Sequence, residues 1–164
     1  MQNNFLEELV AEWLEYKGYI VKRNERVGRR KEGGYEGELD VVAFNPKTNH
    51  LIHFETSTDT GSWDYREERF RNKFTTGDKY IRALFDGLAV PNEIEKKALL
   101  YASNKYHKTI GGGQVVAVKE YFRMILGELR GISYQSQAIP EKYPVLRALR
   151  EAAEYWGKDL EAPW

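Results

Sequence analysis

From Phe5 to Lys17 the apolar residues Phe5, Leu6, Leu9, Val10, Trp13 and Leu14 recur at helical spacing, while Glu7, Glu8, Glu12 and Glu15 occupy intervening positions. This pattern predicts an amphipathic helix, capped by Asn3 or Asn4 and ended by Gly18. Tyr19-Ile20-Val21 reads as a short first strand, and residues 24–35, rich in charge and glycine without a period, as a loop. Leu39 to Phe44 and Leu51 to Thr56 read as buried strands. The turn between them carries Pro46 and Asn49, so together they form a β-hairpin. Past Gly61-Ser62, the spacing of Phe70, Phe74, Ile81 and Leu84 predicts a long helix from about Tyr65 to Phe85, with a break near Thr76-Gly77 left open. Lys97 to Ser103 reads as a strand, Thr109 to Gln114 as a glycine loop, and Val115 to Leu129 as a helix. Val145 to Trp156, beyond the breakers Pro140 and Pro144, reads as another.

The order helix, three strands, helix, strand, helix, helix points to the α/β class: a small mixed central sheet flanked by helices. At 164 residues the expectation is one domain, with a core over about 5–129 and a C-terminal helical extension over 130–164.

Composition narrows the chemistry. The absence of cysteine excludes disulfides, thiolate zinc sites and cysteine nucleophiles. His50, His53 and His107 lack metal-ligand spacing, so an expected metal is a hard one, Mg or Mn, on carboxylates. With no apolar run of spanning length, and an acidic amphipathic segment directly after Met1, the expected location is the cytoplasm. Basic and acidic residues balance at 25 each, so any nucleic-acid site must be a local patch. The densest basic run is Lys22, Arg23, Arg26, Arg29, Arg30 and Lys31, which reads either as such a patch or as a solvated loop.

Strand alternation places Glu38 and Asp40 on one face, and Glu55 and Ser57 on one face of the neighbouring strand. Carboxylates from paired strands can share a divalent cation where twist or a bulge opens the sheet. Three like charges beside Val41, Val42, Ile52 and Phe54 repel one another unless a metal or a basic group compensates.

Glu8 on the first helix, the Gly18-Tyr19 turn, Gly37-Glu38-Leu39-Asp40 and the apolar strand ending Glu55-Thr56-Ser57 together resemble the PD-(D/E)XK nuclease superfamily. The likeness is to its Mrr-like restriction endonucleases and archaeal Holliday junction resolvases, over about residues 5–85 and more loosely to 129. The resemblance implies a restriction-endonuclease-like fold of helix, three-stranded meander, helix, strand and helix. It also implies Mg- or Mn-dependent hydrolysis of DNA, with Asp40 and Glu55 as metal ligands and the Thr56 carbonyl as a third. Glu8 is then the helix-one carboxylate at the metal, with Glu12 as the other candidate; Glu38 either ligates or orients the basic loop.

Ser57 departs from this pattern, in which a lysine orients the attacking water and offsets transition-state charge. Either the lysine has migrated, with Lys73 on the following helix as first candidate and Lys79 as second, or the fold binds nucleic acid or assembles with protein without cutting. Arg26, Arg29, Arg30 and Lys31, and beyond the later strand Lys105 and Lys108 in the run Ser103 to Lys108, are the candidate nucleic-acid contacts. Trp63 and Tyr65 are placed to line the site, and Gly111-Gly112-Gly113-Gln114 reads as a phosphate cradle or a flexible turn. The expected partner is DNA, with a homodimer as the arrangement that cuts both strands.

Overall fold

A computed structural model describes residues 4–101, 105–132 and 138–156; the candidate cap Asn3 and Ser103-Asn104 lie outside them. The chain forms two compact units, Met1–Val118 and Lys119–Trp164. The first holds α1 (Phe5–Tyr16), β1 (Ile20–Arg29), β2 (Tyr35–Asn45), β3 (His50–Ser57), α2 (Trp63–Leu84), β4 (Glu95–Leu100), β5 (Thr109–Ile110) and β6 (Gly113–Ala117). Its sheet has six strands in the order β1-β2-β3-β4-β6-β5. β1, β2 and β3 form an antiparallel meander, β4 and β6 run parallel to β3, and β5 turns back on β6. The fold is therefore mixed α/β, a central sheet flanked by helices. Helix α2 is the crossover between parallel β3 and β4, which starts it beside the C-terminal end of β3.

Alternation along β3 shows where the helices lie. Thr56 touches Asn4 at the head of α1, whereas Glu55 touches Lys73 of α2. Successive strand residues point to opposite faces, so the two helices cover opposite sides of the sheet. Asn4 is the N-cap: its Oδ1 accepts from the Leu6 amide at 3.0 Å while its Nδ2 donates to Thr56 Oγ1 at 3.1 Å. Two apolar clusters lie under α2; in the first, Val27, Leu39, Val42, Phe44 and Leu51 pack with Ile81 and Phe85. Ala98, Leu100, Ile110 and Val115 pack with Phe70 and Phe74.

Two expectations are corrected and one open point is settled. Residues 24–35 are mostly strand: β1 runs to Arg29, and a tight turn closed by the Gly34 carbonyl and the Arg30 amide leads into β2. β1 is a sheet edge, so its exposed half can carry charge, and Asn24 at φ 52° interrupts the alternation that would betray a strand. Val115 to Ala117 belong to β6, and α3 begins at Val118. Helix α2 does not break at Gly77. That residue is glycine because a Cβ there would stand 2.5 Å from His53 Nδ1.

The second unit carries nearly all of α3 (Val118–Arg130) and the whole of α4 (Pro144–Trp156). Ile125 and Leu129 of α3 and Leu146 and Ala153 of α4 are buried. The α3 end is closed by the Ile132 amide on the Leu129 carbonyl, and Arg150 donates to the Ile132 carbonyl at 2.7 Å. Among the described residues no helix is long and apolar enough to cross a membrane.

Candidate active site

The β2–β3 ladder ends at the pair Val41 and Phe54. Beyond it, side chains take over the bonds that backbone would otherwise make. The Thr56 amide donates to Asp40 Oδ2 at 2.8 Å, and the Asp40 amide donates to Glu55 Oε1 at 3.3 Å. The two acids thus seal the ends of each other's strands and hold their remaining oxygens in fixed directions. The regular alternation is also lost here. Leu39 and Val42, three residues apart, share one core cluster, and Asn24, between the pairs Arg23–Val41 and Glu25–Leu39, is left-handed.

Asp40 Oδ1 and Glu55 Oε2 converge on the Lys73 ammonium, at 2.6 Å from Asp40 and closer still to Glu55. The stem of Lys73 rises from the face of α2 that also carries Phe70, Phe74 and Gly77 into the sheet. Lys79 points elsewhere, to Glu36 at 3.4 Å. Under Glu55, the His53 Nε2–H donates to Oε1 at 2.6 Å, the Phe74 ring meets the imidazole edge-on at 5.1 Å, and Gly77 leaves room for it. His53 is fully buried and its Nδ1 has no partner, so the ring's one strong bond fixes Glu55.

Burial, followed by the Glu55 charge, pushes Asp40 up to about 6, despite the opposing ammonium and the Thr56 bond. For Glu55 burial also acts upward, but the His53 and Lys73 bonds outweigh it and hold the carboxyl below its ordinary value. Burial works against the Lys73 charge as well, yet Glu55 and Asp40 together keep the ammonium above the usual lysine range. Lys73 is therefore a fixed cation between one firm carboxylate and one that protonates in mild acid.

The helix-one acid at the site is Glu7. Burial and the charges of Asp40, Glu55 and Glu38 raise it to about 7, against the pull of Lys73. Glu8 turns away to Arg23 at 2.6 Å, with Glu15 on the other side of the same guanidinium at 2.8 Å. Glu12 is enclosed more than a turn further along α1. Glu7 shares a face with buried Val10, Ala11 and Leu14, at the third, fourth and seventh positions after it. That spacing was the available signal. Glu38 sits at the margin, bonded to Arg26 at 3.4 Å across the β1–β2 ladder.

Ser57 is buried, and its hydroxyl accepts from Arg69 Nη2 at 2.8 Å and from the Asp59 amide at 3.1 Å. Arg69, one turn before Lys73, also reaches Asp59 at 3.3 Å. Of the other candidates, Trp63 stacks on His107 at 3.7 Å and Tyr65 is exposed at the mouth. Arg29, Arg30 and Lys31 lie exposed at the β1–β2 turn, Arg26 just before it, and Lys105 and Lys108 on the loop before β5. The glycine run does not precede a helix. Gly111 and Gly112 make the β5–β6 turn, the Gly111 amide is taken by Glu67 at 3.0 Å, and Gly113 lies against Phe74.

Among the described residues no three His, Asp or Glu side chains are grouped to hold a metal ion by themselves, and Lys73 stands where Asp40 and Glu55 converge. The donor chemistry nonetheless fits a hard divalent cation. Two carboxylate oxygens already meet at one cation, and Glu7, raised to about 7 by burial and then by the Asp40 charge, stands near them.

No family model and no curated protein matches the chain. Among solved structures it is similar to a protein of unknown function, AF1548, at 14% identity and TM-score 0.49, covering 91% of this chain and 96% of that one. It is also similar to the small subunit of the heterodimeric restriction endonuclease R.BspD6I, at 14% identity and TM-score 0.38, covering 93% and 88%.

Proposed function

We propose that the chain is a restriction-endonuclease-like nuclease that hydrolyses DNA phosphodiester bonds with Mg or Mn at the Asp40, Glu55 and Lys73 centre. The observation that carries this reading is the Lys73 ammonium, which comes from α2 to both carboxylates and supplies the positive charge that the Ser57 position lacks. Asp40, Glu55 and the Thr56 carbonyl would hold the metal, with Glu7 beside them in the role expected of Glu8. The metal, when bound, polarises the phosphate and lowers the pKa of a water. Lys73 is held cationic and so acts by stabilising charge on the phosphorane-like transition state, not by taking a proton. Glu7, titrating near neutrality, is the group suited to exchange one. His53 keeps Glu55 in place, and the exposed Arg26, Arg29, Arg30, Lys31, Lys105 and Lys108 contact the nucleic-acid backbone. A homodimer places one such centre on each strand.

One observation favours a second reading. The same ammonium satisfies both carboxylates without metal, as a noncatalytic nucleic-acid-binding or assembly module would require. Calorimetric titration with Mn, on wild type and Asp40→Asn, together with digestion of plasmid, branched DNA and RNA, separates the two. Nuclease function requires Mn binding that Asp40→Asn weakens and cleavage that Lys73→Ala abolishes; no binding by wild type leaves the module.

A further inference from the structure

Arg66 is buried to 6% exposure at the head of α2, and its Nε and Nη2 have no hydrogen-bond partner. Its guanidinium folds back over the first turn of the helix, 5.5 Å from the Trp63 ring. An enclosed guanidinium with idle N–H groups is costly unless something negative completes it. Asp59 is the acid that favours its charge, but that carboxylate is already shared between Arg69 and the Gly61 amide. Ser62, the N-cap of α2, makes no side-chain cap bond, so its hydroxyl does not occupy the first-turn amides.

Arg66, Arg69 and Lys73 fall at the first, fourth and eighth positions of one helical stripe, which leads from the head of α2 to the carboxylates. Arg69 joins the two ends, bonded to Ser57 at 2.8 Å and lining a cavity of about 300 Å³ with Tyr65, Glu68 and Asn72. We propose that Arg66, Arg69 and Ser57, with the first turn of α2, form a phosphate-binding subsite for the nucleic-acid phosphate next to the one at Asp40 and Glu55. Arg69, 35% exposed at the mouth, binds the incoming oxygens in place of Asp59. Arg66 lies behind it and contributes a charge that water screens poorly. The subsite rests on the phosphodiester reading of the neighbouring carboxylates, but phosphate binding is measurable without cleavage.

The test is binding of a fluorescent single-stranded oligonucleotide in EDTA, with inorganic phosphate as a second probe in thermal melts. Arg66→Met and Arg69→Met are each expected to weaken oligonucleotide binding about tenfold or more. Arg69→Met is also expected to reduce the slope of log affinity against log salt by about 0.7, one phosphate contact's worth, and Arg66→Met, which removes a charge without a direct contact, by less. Phosphate should raise the Tm of wild type and leave that of Arg66→Met unchanged. Arg71→Met, on the same helix but 62% exposed and paired with Glu67, should bind as wild type does. The proposal is overturned if wild type does not bind, or if Arg69→Met keeps the wild-type affinity and slope. Arg69→Met carries that decision alone should Arg66→Met not fold. Loss of binding in these variants, in a protein that never cleaves DNA, would sustain the subsite and remove the nuclease.

Discussion

Replacing Lys73 with methionine removes the one cation on which Asp40 and Glu55 converge, while keeping much of the stem that crosses the sheet end. Breaking a buried pair by deleting one partner typically costs about 3–5 kcal/mol. Lys73 is 30% exposed, so water recovers part of this and about 2–3 kcal/mol is expected at pH 8. The cost depends on pH with a definite sign. Asp40 in the fold titrates near 6, above its ordinary 3.8, so its ionisation disfavours the native state as pH rises through 6. Lys73 holds that value down; without it Asp40 stays protonated to higher pH, and at pH 5 the variant carries one buried charge instead of two. Urea unfolding of wild type and Lys73→Met at pH 5 and pH 8 should therefore show a deficit about 1–2 kcal/mol larger at pH 8. A deficit equal at both pH values, or larger at pH 5, would refute the electrostatic account of this centre.

Gly77→Ala should lower Tm although alanine ordinarily favours a helix by about 1 kcal/mol, because the new methyl collides with the His53 ring; a rise in Tm would contradict that contact. Glu7→Gln should flatten the fall in stability between pH 4.5 and about 7 that a raised carboxyl imposes, and should leave the variant about 1–2 kcal/mol more stable than wild type at pH 8 after screening by water, as read from denaturation midpoints. Asn4→Ala loses the α1 cap and the bond to Thr56, and should cost about 1–2 kcal/mol in chemical denaturation, with Asn4→Ser recovering most of it.

The fold was legible wherever burial imposed a period. α1 and α2 each have a buried stripe that sequence spacing exposes, whereas the β2–β3 hairpin, buried almost throughout, shows as two apolar runs about a turn; their order set the class. β1 and β6 were not legible, for different reasons. β1 is an edge whose charges are satisfied by water and by α1, as Arg23 is by Glu8 and Glu15. β6 runs straight into α3 with no breaker between Ala117 and Val118, so its apolar residues join the helical pattern. At the site, strand spacing put Glu38 with Asp40 and Glu55 with Ser57 on neighbouring faces, and the family resemblance singled out Asp40, Glu55 and, as a migrated lysine, Lys73, which meet at one point. Glu7 was hidden because an acid on an amphipathic helix is ordinarily assigned to water. Arg66 and Arg69 were hidden because nothing local distinguishes them from the other charges of α2.

The acids at the end of the β2–β3 ladder have a consequence for how such a centre can decay. Asp40 and Glu55 are stitched to backbone amides as well as aimed at a cation, so an acceptor oxygen is wanted at both places whether or not any bond is ever cut. A lineage released from its chemistry would drift first to asparagine at 40 and glutamine at 55, which keep the seam closed, and only at a cost in folding to alanine. Architecture here protects the outline of the acidic centre, and Lys73, which bonds neither amide, is held in place only while the two charges it pairs with remain.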